Sequence, residues 1–208
     1  MTPKERMAAG KLYTSADPQL RREHLKAKER TRLYNATLET QDDLRREMLK
    51  EIFGSAGENA YVEPPFHCDY GINTYVGRNF YANYNFTLLD TADVTIGDEV
   101  MCGPNVSIFA ASHPIDPITR AGGLECGRPV KIGNYVWIGG CSVVCPGVTI
   151  GNNVVIGAGS VVCRDIPDNV VAAGNPCSVI REITEEEKQF WRDQAAEWYA
   201  ECKMQNAE

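Results

Sequence analysis

The sequence predicts a mostly β fold: a parallel β-helix built from hexapeptide repeats, with helices before it and one helix after it. Aliphatic residues recur every six positions through the second half of the 208-residue chain, and charged residues are concentrated in its two flanks. A period of six fits one short strand plus one turn. Such units must stack, because none of them can bury its apolar side alone.

The repeat is clearest from Ile132 onwards, where the chain reads IGNYVW, IGGCSV, VCPGVT, IGNNVV and IGAGSV. The first position is aliphatic and points inward, and the second is mostly glycine, which accepts the backbone angles of a tight turn. The phase is also present from Ile96, and a looser copy begins at Val76. Residues 109–130 interrupt the period and then restore it, which predicts a loop ejected from a corner of the helix. A loop of this length is usually functional or disordered.

Capping motifs predict helices in the N-terminal segment. Thr2-Pro3-Lys4-Glu5 is a capping box with proline at the first helical position, and Gly10 is a stop. Asp17-Pro18 begins a second helix, and Thr40 with Asp43 begins a third that ends before Gly54. We expect Leu20, Leu25 and Leu33 to form the apolar stripe of the second helix.

A last capping box, Thr184 to Glu187, predicts a C-terminal helix with an aromatic side. This side would cover the open edge of the β-helix or pack against a neighbouring subunit; its members are Phe190, Trp191, Trp198 and Tyr199. The chain then divides into an N-terminal helical arm (1–57), a β-helix (58–180) and a C-terminal helical cap (181–208).

Composition limits the classes of function. The chain has 21 Lys and Arg against 28 Asp and Glu, a net charge of −7, which argues against nucleic acid as a partner. No apolar run approaches the roughly 20 residues of a membrane span. Without a signal-peptide pattern we expect a cytoplasmic protein with its eight cysteines as free thiols. No CxxC pair is present, so we expect no zinc site.

Four further segments carry a family resemblance: AGKLY at 9–13, NFYAN at 79–83, ASHPID at 111–116 and VVAAGNP at 170–176. With these motifs and the repeats, nearly the whole chain resembles the galactoside and maltose O-acetyltransferases of the hexapeptide acyltransferase superfamily, and most resembles the maltose branch. The resemblance implies a left-handed parallel β-helix and a homotrimer. It also implies that acetyl-CoA binds between adjacent subunits.

Acetyl transfer to a neutral hydroxyl needs a base, and histidine suits that role. The chain has three histidines. His24 lies on a charged helix and is expected at the surface, while His67 near the start of the β-helix could line the acceptor site. The resemblance assigns the general base to His113 in the ejected loop. It also assigns Asn83 as donor to the oxyanion of the tetrahedral intermediate.

The resemblance and the chemistry of sugar recognition together predict the acceptor site. Carboxylates and amides bind vicinal hydroxyls, and a tyrosine can cover an apolar sugar face. Galactoside enzymes carry acidic residues at two positions where this chain has Ser15 and Thr91, so we expect maltose or glucose rather than a galactoside. The predicted acceptor-binding residues are Ser15, Asp17, Asp69, Tyr81, Asn83, Thr91 and Glu125.

The resemblance also implies a coenzyme A site along the wall of the β-helix. Small residues at Gly140 and Ala158 would let the pantetheine lie close, and arginines would hold the phosphates. Cys163 and Ser178 depart from the family pattern, which predicts weaker phosphate binding. Trp137 either packs near the thioester or forms an outward contact between subunits. The predicted cofactor-binding residues are Gly140, Ala158, Cys163, Arg164, Ser178, Arg181 and Trp137.

Three alternatives follow from the same fold. The first is a hexapeptide acetyltransferase for another acceptor: a galactoside, an amino sugar, serine or a xenobiotic. The second, a zinc carbonic anhydrase, is rejected because the three histidines occupy different structural contexts. The third, a non-catalytic scaffold, is disfavoured by the His113 loop motif and Asn83. We expect direct transfer in a ternary complex without metal, although Cys126 on the same loop is a conceivable nucleophile.

Overall fold

The computed structural model describes residues 1–205, and the side chains as far as residue 202. The last three residues of the predicted cap lie outside the described part. No helix within residues 1–205 has the length and apolarity needed to cross a membrane. The helices are α1 (Pro3–Ala8), α2 (Pro18–Asn35), α3 (Asp42–Ile52), α4 (Pro117–Ala121) and α5 (Glu185–Gln205).

The strands are short, as a hexapeptide repeat requires. They are β1 (Tyr13–Thr14), β2 (Ser55–Ala56), β3 (Tyr61–Val62), β4 (Phe66–Cys68), β5 (Thr74–Val76), β6 (Tyr81–Ala82), β7 (Phe86–Leu89), β8 (Val94–Ile96), β9 (Met101–Cys102), β10 (Ser107–Phe109), β11 (Ala111–Ser112), β12 (Leu124–Gly127), β13 (Val130–Ile132), β14 (Trp137–Ile138), β15 (Val143–Val144), β16 (Thr149–Ile150), β17 (Val155–Ile156), β18 (Val161–Val162), β19 (Val170–Gly174) and β20 (Cys177–Glu182).

These strands form a three-sided prism of stacked parallel coils. Sheet 1 contains β2, β5, β8, β13 and β16; sheet 2 contains β3, β6, β9, β14, β17, β19 and β20; sheet 3 contains β4, β7, β10, β15 and β18. The chain visits sheets 1, 2 and 3 in turn, so each coil has a 1–2, a 2–3 and a 3–1 corner. The predicted β-helix is confirmed.

The inside of the prism is filled by the residues that set the six-residue period. The first-position side chains from Ile132 to Val162 are at most 3% exposed, and the small fifth-position side chains Ser142 and Ser160 are fully buried. Removing one aliphatic side chain of this size from water contributes about 1.5–3 kcal/mol. The Ser142 hydroxyl donates to Gly139 O at 2.7 Å, so its burial leaves no unpaired donor.

α2 and α3 pack across the first coils. The Tyr34 hydroxyl donates to Val62 O at 2.5 Å, and the Tyr34 ring meets Phe66 edge-on at 5.0 Å. The predicted stripe was wrong for Leu25 and Leu33, which are 58% and 48% exposed, because the helical period from Leu20 leads to other positions. The buried residues of α2 are Leu20, Ala27, Thr31 and Tyr34.

One other predicted helix boundary differs in detail. The capping box at Thr2 is present, and Gly10 at φ 66° follows α1 as predicted. α3 begins at Asp42 after Gln41, without a side-chain cap, rather than from Thr40. The third helix therefore starts one residue later than the capping pattern indicated.

The ejected loop is partly ordered into strands and a helix. The loop is shorter than predicted at both ends, because Phe109 still pairs in sheet 3 and Val130 already pairs in sheet 1. Outside the prism, β12 lies antiparallel to both β11 and β1. We call this three-stranded unit the outer sheet; it joins the loop to the N-terminal arm.

A hairpin closes the C-terminal end of the prism. β20 folds back antiparallel on β19, and the predicted end of the solenoid near Asn175-Pro176 is the turn between them. The Thr184 capping box then starts α5. The aromatic side chains of α5 do not cover the sheet edge, since all four are 55–69% exposed; they are Phe190, Trp191, Trp198 and Tyr199.

Candidate active site

The predicted acceptor and catalytic residues separate into two groups at opposite edges of sheet 3. Asp69 and Thr91 lie at 3–1 corners, where the outer sheet brings Glu125 beside them. Tyr81 and Asn83 lie at a 2–3 corner. One strand of sheet 3, about 13 Å long, separates these edges, so the two groups do not meet within one chain.

The 3–1 corner holds a half-buried group of polar side chains that we call the corner cluster: Tyr13, His24, Asp69, Tyr70 and Glu125. His24 Nε2 lies 3.6 Å from Asp69 Oδ1, and the His24 and Tyr70 ring centroids are 5.7 Å apart. Tyr13 is opposite Glu125 in the β1–β12 pair. His24 is therefore not a plain surface residue, as the sequence had indicated. It follows Leu20 by one helical turn and shares its inward face.

A close approach of backbone holds the outer sheet against this corner. A Cβ on Gly127 would lie 2.7 Å from Ala92 Cβ and 3.0 Å from Thr91 Oγ1. Only glycine lets β12 lie this close to the corner. The hydroxyls of Tyr13 and Thr91 are buried beside each other there.

Burial and like charge shape the electrostatics of the corner cluster. Burial raises the pKa of Asp69 to about 6, and the nearby Glu125 carboxylate adds to the rise. Burial also raises the pKa of Tyr13 and of Tyr70, and it lowers the pKa of His24. The cluster therefore favours neutral ligands that donate hydrogen bonds to carboxylates.

Asp90 supports the corner from inside. It is fully buried, and its Oδ1 accepts the Tyr70 amide at 2.9 Å while its Oδ2 accepts Thr74 Oγ1 at 3.2 Å. Burial nevertheless raises the pKa of Asp90 to about 6. Its contacts fix the backbone between Asp69 and Thr74, so its role is positional.

His113 follows β11 and is exposed beside the outer sheet. Its Nδ1 lies 3.3 Å from Leu124 O. A proton on Nδ1 would face that carbonyl and leave the Nε2 lone pair free to act as a base. The segment after it is held in place, because Asp116 caps α4 and Arg120 donates to the carbonyls of Pro114 and Ile115.

Asn83 and Tyr81 occupy the other corner. Asn83 Oδ1 accepts the Tyr84 amide at 2.7 Å. Since its oxygen is engaged, the Nδ2 group is the part of the amide that can donate to a ligand. The Tyr81 ring stacks parallel to Tyr61 in the coil below, with centroids 6.5 Å apart.

The two acceptor-binding residues predicted in the N-terminal arm, Ser15 and Asp17, differ in their contacts. Ser15 is exposed in the turn between β1 and α2. Asp17 is the N-cap of α2, where its Oδ1 accepts the amides of Gln19 and Leu20. One Asp17 oxygen is thus used by the helix.

Comparison with known proteins supplies the family. The profile described as the maltose acetyltransferase hexapeptide capping motif matches residues 6–57, and the bacterial transferase hexapeptide (six repeats) matches 129–164. The galactoside O-acetyltransferase of Escherichia coli (strain K12) is 47% identical over 187 residues, 90% of this chain and 92% of that protein.

Two solved structures agree with this. A maltose O-acetyltransferase from Clostridium difficile 630 is 53% identical with a TM-score of 0.88, covering 89% of this chain and 99% of that chain. A galactoside acetyltransferase in complex with coenzyme A is 47% identical with a TM-score of 0.87, covering 90% and 94%. The chain belongs to the hexapeptide-repeat sugar O-acetyltransferases. Its class as an acetyltransferase, predicted from the sequence, is confirmed.

The cofactor-binding residues predicted for this acetyltransferase also lie at separate places on the prism. Gly140 and Ala158 lie at 2–3 corners of successive coils, and Trp137 points outward from sheet 2. Cys163 and Arg164 lie exposed at a 3–1 corner.

β20 carries the other two cofactor residues, Ser178 and Arg181, both exposed. Arg181 Nη1 is already 2.6 Å from Glu187 Oε2 on α5. A phosphate would have to compete with this carboxylate, which again predicts weak phosphate binding at this position.

Sequence reasoning missed Tyr13, His24 and Tyr70 in this acetyltransferase. Tyr13 and Tyr70 are buried and His24 is half-buried around Asp69, a residue that the sequence did indicate. For His24 the helical spacing from Leu20 was an available signal. Tyr13 depends on the pairing of β1 with β12, which residue spacing does not predict.

We expect Asp69→Asn to stabilise the fold near neutral pH. Because the pKa of Asp69 rises to about 6 on folding, the native state binds more protons than the unfolded state between about pH 4 and 6. Stability is therefore lost as pH rises through that window, and the substitution removes the loss, roughly 1–3 kcal/mol. Thermal unfolding at pH 4 and pH 7.5 measures it. The gain should be present only at pH 7.5, and the exposed Asp93→Asn should show none.

Proposed function

We propose that this enzyme transfers the acetyl group of acetyl-CoA to a hydroxyl of maltose or glucose. The observation that carries the proposal is His113, an exposed histidine with Nδ1 against a carbonyl, directly after the loop strand β11, which pairs with the strand that carries Glu125. The acyl donor follows from the family and from the coenzyme A in the galactoside acetyltransferase structure. We expect it to act in the cytoplasm, where free thiols persist.

His113 would act as general base. Its Nε2 takes the proton of the sugar hydroxyl as that oxygen attacks the thioester carbonyl. The carbonyl oxygen gains negative charge in the tetrahedral intermediate, and Asn83 Nδ2 donates to it. The C–S bond then breaks, and the protonated His113 returns the proton to the departing coenzyme A sulfur. The products are acetylated sugar and the free thiol.

The corner cluster would bind the acceptor. Asp69 and Glu125 accept hydrogen bonds from vicinal hydroxyls, and the buried Tyr13 and Thr91 side chains lie against β12, the strand that carries Glu125. A neutral sugar suits this cluster better than an anion, because the carboxylates already repel each other.

A homotrimer would bring the two corners together. His113 and Asn83 lie at opposite edges of sheet 3 in one chain, so a shared site must use His113 of one subunit and Asn83 of the next. A continuous apolar ladder on the outside of sheet 2 supports such an interface, with Met101 53% and Trp137 55% exposed. Its members, in register from coil to coil, are Met101, Trp137, Val155 and Val171.

Thiol release from acetyl-CoA across a panel of glucose, maltose, galactosides and amino sugars tests the proposal. We expect release with glucose and maltose above the rate with galactosides, and no burst of acetyl-enzyme. Faster release with an amino sugar or a galactoside would select the alternative acceptor class. Cys126→Ala should retain turnover within about twofold, because direct transfer needs no nucleophilic thiol; loss of turnover would contradict the direct mechanism.

A further inference from the structure

A large groove beside the N-terminal arm lies outside the corner cluster. It has a volume of about 780 Å³ and runs between the α2–α3 connection and the first two coils. This size falls within the roughly 300–1,000 Å³ of small-molecule sites. The lining residues that matter here are Asp42, Arg46, Tyr61, Glu63, Tyr81 and Tyr84.

Stacked tyrosines line one side of the groove. The Tyr61 and Tyr81 rings lie parallel within 5°, and Tyr84 near them is 53% exposed. Arg45, which is only 5% exposed, donates from Nη1 to the Tyr61 hydroxyl and from Nε to Thr37 Oγ1. The Tyr61 hydroxyl in turn donates to Asp42. The aromatic surface is therefore held rigidly before any ligand arrives.

Donors and acceptors are mixed around these rings. Arg46 lies over the Tyr61 ring at 5.9 Å, and its Nε is buried without an acceptor within the described residues. Glu63 and Asp42 face them as acceptors. Two arginines against three carboxylates, Glu39 included, do not select an anion. Aromatic faces that lie beside both hydrogen-bond donors and hydrogen-bond acceptors fit a ligand with many hydroxyl groups.

Tyr81 joins the groove to the acceptor site. Trp137, Gly140 and Ala158 lie in coils above Tyr81, and these are the positions expected to hold coenzyme A. An acceptor bound beside Asn83 can therefore extend only in the opposite direction. That direction leads to the coil of Tyr61, where the groove lies.

We propose that the groove binds the second and third units of an oligosaccharide acceptor, so that short oligosaccharides are better acceptors than free glucose. This inference rests on the proposed function, since it extends the same acceptor site. The remote units stack on the tyrosines and donate hydrogen bonds to Glu63 and Asp42, while the Arg46 guanidinium donates a hydrogen bond to a sugar hydroxyl. Binding energy from these units raises kcat/KM for the distant acetyl transfer.

The test is a chain-length series: kcat/KM for glucose, maltose, maltotriose and maltotetraose, repeated with β-1,4-linked glucose units. In one of the two series, we expect kcat/KM to rise by about 10- to 100-fold from glucose to the trisaccharide and to change little for longer chains. Tyr84→Ala and Arg46→Met should each lower the trisaccharide-to-glucose ratio at least about fivefold. Tyr135→Asn is the matched control: it removes a 63% exposed tyrosine at a 1–2 corner whose φ of 57° suits asparagine.

Each outcome has one meaning. A flat dependence in both series, with glucose still acetylated, overturns the groove site and leaves the proposed function standing. A length dependence that Tyr84→Ala and Arg46→Met both leave unchanged also overturns it. No thiol release with any sugar overturns the proposed function, and the groove proposal with it. Calorimetric binding of maltotriose, weakened by both variants but not by Tyr135→Asn, supports the groove independently of turnover.

Discussion

His113→Ala lowers kcat/KM for acetyl transfer to the best sugar acceptor by about 10³-fold, within the range expected for a lost general base. Without a proton acceptor at the position of Nε2, the sugar hydroxyl must attack while it still carries its proton. Most of the loss should be in kcat, since the corner cluster that binds the sugar remains intact.

His67→Ala is the matched control for that loss. His67 is exposed on β4 and lines a small separate cavity with Lys28 and Arg32, away from the corner cluster. Its removal should leave kcat/KM within about twofold. An unimpaired His113→Ala enzyme, or equal losses in both variants, would remove His113 from the mechanism.

Asn83→Ala lowers kcat by about 10²- to 10³-fold, as expected for one oxyanion donor. The loss arises because negative charge develops on the thioester oxygen only after attack, so the donor acts in the transition state and not on bound substrate. KM for the sugar should change little. Asn153→Ala serves as control, because Asn153 is also a turn asparagine but lies at a 1–2 corner. A rise in KM with kcat preserved would make Asn83 a binding residue only.

The prism could be predicted from the sequence because its cause is local and repeated. Ile132, Ile138 and their successors hold one phase, and each is buried as the phase requires. The family resemblance supplied what the period alone does not, namely the handedness of the coil, which follows from no spacing of residues.

The packing of the arm could not be predicted as well. Leu25 was assigned to the apolar stripe of α2 and is exposed, because a highly charged helix offers several weak stripes. Thr31 was not assigned to it and is buried, where its hydroxyl donates to Ala27 O at 2.7 Å. Tertiary contact with the first coils decides between the faces of such a helix.

The candidate site was predictable only in part for the same reason. His113, Asn83 and Tyr81 lie in short motifs that the sequence displays. The side chains around Asp69 come from β1, α2 and β12, which are distant along the chain and meet through the outer sheet. Neither the hydropathy pattern nor a local motif predicts that these side chains lie close together.

Subunit complementation tests the shared site most directly. His113→Ala and Asn83→Ala chains, each inactive alone, are co-expressed with different tags, and mixed oligomers are isolated and assayed for thiol release with maltose. If each site takes His113 from one subunit and Asn83 from the next, one interface in every mixed trimer is intact. Unfractionated random mixing then gives about a quarter of wild-type turnover, and purified mixed trimers about a third. Turnover no greater than the sum of the two parent variants would contradict a site shared between subunits.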